Sequence, residues 1–153
     1  MAYTRRNFLK STAAVGAGAV AAPYVFSRSA ALANSGTIDV GVLFSQTGGL
    51  SIVEKTLADA TLMAIDEINA AGGVMGKKIN GVVEDGASDP RTFNEKASKL
   101  VIRDRVPTVF GCYTSASRKA VVPVFDKRRN LLFYPTYYEG YECSNNVVYT
   151  GAV

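Results

Sequence analysis

The sequence has 153 residues, 48% apolar and 20% charged, which suits one modest folding domain and is too apolar for a disordered chain. It contains no histidine, which removes His-based triads, Cys–His pairs and His-ligated metal sites. The net charge of +4 comes from the first 33 residues, where Arg5, Arg6, Lys10 and Arg28 meet no acid. The remainder holds 13 basic and 13 acidic groups, so it lacks the basic stripe that a nucleic-acid partner requires.

The chain opens on Thr4-Arg5-Arg6-Asn7-Phe8-Leu9-Lys10. This resembles the twin-arginine export signal, S/T-R-R-x-F-L-K. A small-residue apolar stretch follows from Ser11 to Ala22, and Ala31-Leu32-Ala33 supplies the small-x-small pattern that a signal peptidase accepts. Glycine and alanine are too frequent there, and a polar face is missing, for an ordinary amphipathic helix. Residues 1–33 therefore read as a twin-arginine signal peptide cleaved after Ala33. Residues 34–153 are the exported part, with the twin-arginine translocase and signal peptidase as partners. No run of 18 apolar residues occurs, so no segment is long enough for a membrane-spanning helix.

From Thr37 the chain alternates strand and helix. Thr37 to Phe44 is a short β-branched apolar run, bounded by Gly36 and the turn Thr47-Gly48-Gly49, and reads as a buried strand. Leu57, Ala60, Ala64, Ile68 and Ala71 recur at helical spacing, and Gly72-Gly73 supplies the C-cap. Ile79 to Glu84 is the second strand. Asp89-Pro90 opens a second helix with Phe93, Ala97, Leu100 and Val101 on its inner face. Val106 to Gly111 is the third strand. Ser115 or Ser117 caps a third helix with Ala120, Val121, Val124 and Phe125 inward, and Pro123 implies a kink or a loosened first turn. Asn130 to Tyr134 and Val147 to Thr150 complete five strands.

Strands joined by such helices need right-handed crossovers and form a parallel sheet covered on both faces, which explains why the strands are apolar throughout. The expected fold is a doubly wound α/β sheet of order 2-1-3-4-5. Ligands in such sheets sit outside the carboxyl ends of the strands, at the switch point between the first and third. That rule selects three loops: Ser45 to Gly49, Gly111 to Ser115 and Tyr134 to Glu139. Tyr113, Tyr134, Tyr137 and Tyr138 lie in the last two, and a tyrosine offers a flat apolar face with a polar tip. Ser115, at a helix start, either caps or presents donors to a ligand oxygen. Tyr141 and Tyr149 read as packing residues. Lys127-Arg128-Arg129 reads as a solvated helix end, and Gly72 to Lys78 fails the spacing of a phosphate loop. Cys112 ends an apolar strand, which favours a free thiol over a Cys112–Cys143 bridge.

Several stretches together carry a family resemblance. They are Asn69-Ala70-Ala71-Gly72-Gly73-Val74-x-Gly76, Val83 to Asp89, Gly111-Cys112-Tyr113-Thr114-Ser115-Ala116-Ser117-Arg118-Lys119-Ala120, Tyr134-Pro135-x-x-Tyr138-Glu139-Gly140 and Asn146-Val147-x-Tyr149-x-Gly151. The chain resembles periplasmic solute-binding proteins of the branched-chain-amino-acid type, and within them the urea and short-chain amide binders. The resemblance implies a two-lobed, non-enzymatic receptor without metal or cofactor. Such a receptor closes on a small neutral ligand and docks to an ABC permease in the inner membrane. It further implies Tyr113, Ser115, Tyr134, Thr136 and Tyr138 as ligand-binding residues. The ligand carbonyl would accept from Ser115, its NH₂ groups would donate to Tyr134 and Thr136, and Ser45 and Gln46 would line the mouth. Urea and aliphatic amides both remain open. The family's second lobe and hinge would lie past Val153, so the chain reads as an N-terminal lobe. An alternative is a flavodoxin-like FMN carrier, because Ser45-Gln46-Thr47-Gly48-Gly49 also resembles the phosphate loop S/T-x-T-G-x-T, with Leu50 in place of the last threonine. An amidase using Cys112 or Ser115 would lack a base.

Overall fold

A computed structural model describes residues 36–152 of the chain. The expected signal peptide, residues 1–33, and its cleavage point after Ala33 lie outside the described residues. In chain order the elements are β1 (Thr37–Phe44), α1 (Ser51–Ala70), β2 (Lys78–Asp85) and α2 (Pro90–Ser98) with a π-helical turn (Lys99–Arg103). There follow β3 (Thr108–Gly111), α3 (Ser115–Arg128), β4 (Leu131–Tyr134) and β5 (Val147–Tyr149). All four strand pairs are parallel and the order is β2-β1-β3-β4-β5, as the doubly wound reading requires.

Local chemistry sets the element ends. Gly72 and Gly73 take φ of 109° and 77°, and the Gly73 N–H donates to the Ile68 carbonyl at 2.8 Å, closing α1. Asp89 caps α2 by accepting from the Thr92 N–H at 2.8 Å, with Pro90 at the first helical position. The α3 cap differs from expectation. Thr114 is the N-cap and accepts from the Ser117 N–H at 3.1 Å, which frees Ser115 from capping. Pro123 falls well past the first turn of α3, and the helix continues through it to Arg128.

The two faces of the sheet are unequal. On one, α2 and α3 close a core around Phe93, Leu100, Val109, Phe125, Leu132 and Tyr134. Each large apolar side chain buried there contributes about 1.5–3 kcal/mol. On the other, α1 packs over β1 and β2, its Ala58 and Ile65 buried against Val42 and Phe44. The inner face of α1 is thus Glu54, Ala58 and Ile65; the expected stripe is rotated away from it. Leu57, Ala60, Ala64 and Ile68 instead line an open apolar cleft of about 460 Å³, shared with Phe110 and Pro135. Burial of β3 and β4 consequently alternates, with Val109 and Leu132 enclosed while Phe110 and Phe133 stay half-buried. Both-face burial holds for the central β1 and fails toward β5, because α1 reaches over β1 and β2.

Candidate ligand site at the carboxyl edge

The loops after β3 and β4 meet beside the start of α3. Arg118, one turn into α3, organises them with a side chain that is fully buried. Its Nε and Nη2 donate to Glu142 Oε2 at 2.9 and 2.7 Å, Nη2 also to Glu139 Oε2 at 3.2 Å, and Nη1 to Ser115 Oγ at 3.2 Å. The guanidinium lies 4.7, 5.4 and 5.8 Å from the ring centres of Tyr134, Tyr138 and Tyr149. Burial alone would favour losing the proton, but the Glu142 and Glu139 carboxylates outweigh it and hold Arg118 above its ordinary value. Tyr138 stacks on Tyr149 at 4.2 Å, so the β4–β5 loop is pinned by rings below and carboxylates above.

Two hydroxyls converge on one carbonyl. Tyr134 Oη lies 2.8 Å from the Tyr113 oxygen and 3.2 Å from the Tyr137 oxygen, with one proton to share, and Thr136 Oγ1 donates to the Tyr113 oxygen at 2.9 Å. Tyr134, expected at the ligand, is completely enclosed, and its hydroxyl braces the two loops. Tyr113, Ser115, Thr136 and Tyr138 remain partly open at the same edge. Ser115 Oγ donates to Glu139 Oε2 at 2.7 Å, so the proton expected for a ligand carbonyl is already engaged. Glu139 keeps 63% of its side chain exposed. The Ser115 hydroxyl, its own backbone N–H and Arg118 hold its carboxyl down to about 2. Tyr141 is fully exposed, not packed as expected, whereas Tyr149 packs.

At the β1–β3 switch point a separate hollow of about 270 Å³ opens between the starts of α2 and α3, lined by Leu50, Ser88, Pro90, Phe93, Thr114, Ala116 and Ser117. The loop after β1 borders it with four of its backbone N–H groups already engaged. The Ser45 N–H goes to Glu54 at 2.6 Å, those of Gln46 and Thr47 to Asp85 at 2.7 and 3.2 Å, and that of Leu50 to Ser88 Oγ at 3.0 Å. Burial works against the Asp85 charge, yet these bonds and those from Thr47 Oγ1 and the Ala87 N–H hold its carboxyl below the ordinary range. Where a phosphate needs amides, the Gln46 and Thr47 N–H groups are already bonded to the Asp85 carboxylate, so the FMN-carrier alternative finds no support in this geometry. Ser45 is buried and Gln46 half-buried, which leaves the mouth to other residues.

The remaining nucleophile is equally constrained. Cys112 is wholly buried, and loss of water pushes its thiol far above the ordinary range; Cys143 is exposed and the two are not bridged. Among the described residues no cluster of metal-ligating side chains occurs. Sequence reasoning missed Arg118, Glu139 and Glu142, although Arg118 and Glu139 lie inside the quoted motifs. The available signal was an arginine one turn into a helix followed by Glu139 and Glu142, three residues apart on the β4–β5 loop.

The model of a periplasmic binding protein domain matches residues 38–153, and that of a twin-arginine translocation signal matches residues 2–22. The chain belongs to the periplasmic binding protein family. Its exported, periplasmic location follows from the two matches together. The leucine-, isoleucine-, valine-, threonine- and alanine-binding protein of Pseudomonas aeruginosa is 32% identical over 100 residues, covering 65% of this chain and 26% of that protein. A Leu/Ile/Val-binding protein homolog of Brucella abortus is 33% identical over 98 residues, covering 58% of this chain and 24% of the relative. Among solved structures, the substrate-binding protein LivJ from Streptococcus pneumoniae, in complex with isoleucine, aligns with a TM-score of 0.63 at 33% identity. That alignment covers 65% of this chain and 28% of LivJ. A branched-chain amino acid transporter structure from Rhodopseudomonas palustris, at 20% identity and a TM-score of 0.67, covers 75% of this chain and 32% of its own and supports the fold alone. The chain thus spans about a quarter of the length of the curated relatives it matches.

Proposed function

We propose that the protein is the substrate-binding component of an ABC importer that captures urea or a short-chain aliphatic amide in the periplasm, by closure of this lobe on a second one. The observation that carries the reading is the set of partly open Tyr113, Ser115, Thr136 and Tyr138, gathered at the carboxyl edge of a periplasmic binding domain. Hydroxyls and a flat ring beside one another suit a small planar molecule with both donors and acceptors. First-turn N–H groups of α3 would meet the ligand carbonyl, while Thr136 and Glu139 oxygens would take its NH₂ groups. The ligand would leave unaltered, because the Cys112 thiol is enclosed and the Glu139 carboxylate is already paired with Arg118. An ABC permease would receive it, after the twin-arginine translocase and signal peptidase have delivered the receptor with its leader cut after Ala33.

A branched-chain amino acid is the second reading, favoured by the 33% identity with isoleucine-bound LivJ. Calorimetric titration of the natural full-length protein with urea, acetamide and L-isoleucine separates the two. Saturable heat with urea or acetamide is expected. Binding of isoleucine alone would transfer the assignment to amino acids.

A further inference from the structure

Deepening that reading and resting on it, we propose that Glu139 sets the charge selectivity of the site. It would admit N–H-rich neutral or cationic ligands of the amide and amidinium type and turn away carboxylates. The argument begins with charge balance. One buried guanidinium, Arg118, serves two carboxylates, Glu139 and Glu142, so the cluster carries one negative charge in excess. Glu142 takes two donors of Arg118 and keeps 19% of its side chain exposed, which makes it the structural partner. Glu139 takes one donor and stays 63% exposed, so the excess charge faces solvent at the carboxyl edge.

The second strand of the argument is occupancy. Ser115 Oγ, at the start of α3, gives its proton to Glu139 Oε2. A ligand carboxylate approaching that helix start would meet an oxygen anion already on the hydroxyl, and like charges at this range repel. An NH₂ or amidinium group instead finds an acceptor whose orientation is fixed by Ser115 and Arg118, with little ordering left to do. Lys119 contributes positive potential nearby but does not replace the Ser115 or Arg118 bonds.

Acetamide, acetamidinium and acetate share one shape and differ in charge, which makes them the test. Calorimetry on the natural full-length protein should rank acetamidinium at or above acetamide, with acetate bound roughly ten- to a hundredfold more weakly or not at all. In Glu139→Gln the acetamidinium advantage should vanish and the acetate penalty shrink. An unchanged ranking in a folded Glu139→Gln protein that still binds acetamide overturns the selectivity role and leaves the amide reading standing. If the variant does not fold, the wild-type ranking decides, since acetate bound as tightly as acetamide is equally fatal. Binding of isoleucine with none of the three probes overturns both proposals at once.

Discussion

Arg118 shows how one side chain can be both core and polar framework. Its guanidinium packs against the rings of Tyr134, Tyr138 and Tyr149, and its donors reach Ser115, Glu139 and Glu142. A buried cation is tolerated only with such complete pairing. Ser115 sits at the top of this arrangement and is free of cap duty, since Thr114 performs it. Substituting Ser115→Ala should therefore spare α3 while releasing Glu139 from one of its two clamps. Affinity for urea or acetamide should fall by roughly 1–3 kcal/mol, read by calorimetry. Tyr141→Phe, on a fully exposed side chain, should leave that affinity unchanged.

At the scale of elements, α2 is stapled to β2 by a charge network. Glu84 accepts from Lys96 at 2.7 Å and from Lys99, which also reaches Asp104 at 2.7 Å across the π-helical turn. Burial raises the Glu84 carboxyl, but the two lysines outweigh it and leave it below its ordinary value. A lowered acid contributes stability above its unfolded pKa and loses it as pH falls through the folded one. Glu84→Gln should thus lower the thermal midpoint at neutral pH by roughly 2–4 °C. It should also flatten the decline below pH about 4.5, where the wild type loses this contribution.

Elements were largely legible because their signals are local. Asp89-Pro90, Gly72-Gly73 and the β-branched run of β1 each specify a boundary without help from distant residues. The inner face of α1 was not legible, since the choice between the Ala58–Ile65 side and the Leu57–Ala64 side depends on which strands the helix covers. The site divides in the same way. The gathering of Tyr113, Ser115, Thr136 and Tyr138 at one edge follows from the loop rule. The enclosure of Tyr134 and the reach of Arg118 across more than 20 residues to Glu142 are tertiary facts that periodicity does not carry.

Across the whole molecule the sheet is a two-sided object with unequal support. Leu132 is sealed between β4 and α3, whereas the neighbouring Phe133 lies on the α1 side and stacks on Phe110 at 5.0 Å while half-exposed. Large-to-small substitution costs most where the cavity cannot refill. Leu132→Ala should destabilise by about 2–5 kcal/mol and Phe133→Ala by distinctly less, despite the larger ring, as chemical denaturation would report. The reverse order would mean that β4 is enclosed from the α1 side in the assembled protein.

Cys143 projects from the β4–β5 loop while Cys112 is sealed behind β1 and α3. Export moves both into surroundings where thiols are oxidised, and their fates should diverge. The outward one is available for covalent coupling to a small thiol or to another copy of the protein, whereas the inward one is protected for as long as the fold holds together. Non-reducing electrophoresis of protein stored without reductant should show a doublet of twice the mass that Cys143→Ser abolishes and Cys112→Ser retains. Binding experiments on this protein accordingly call for a reductant, or for serine at position 143.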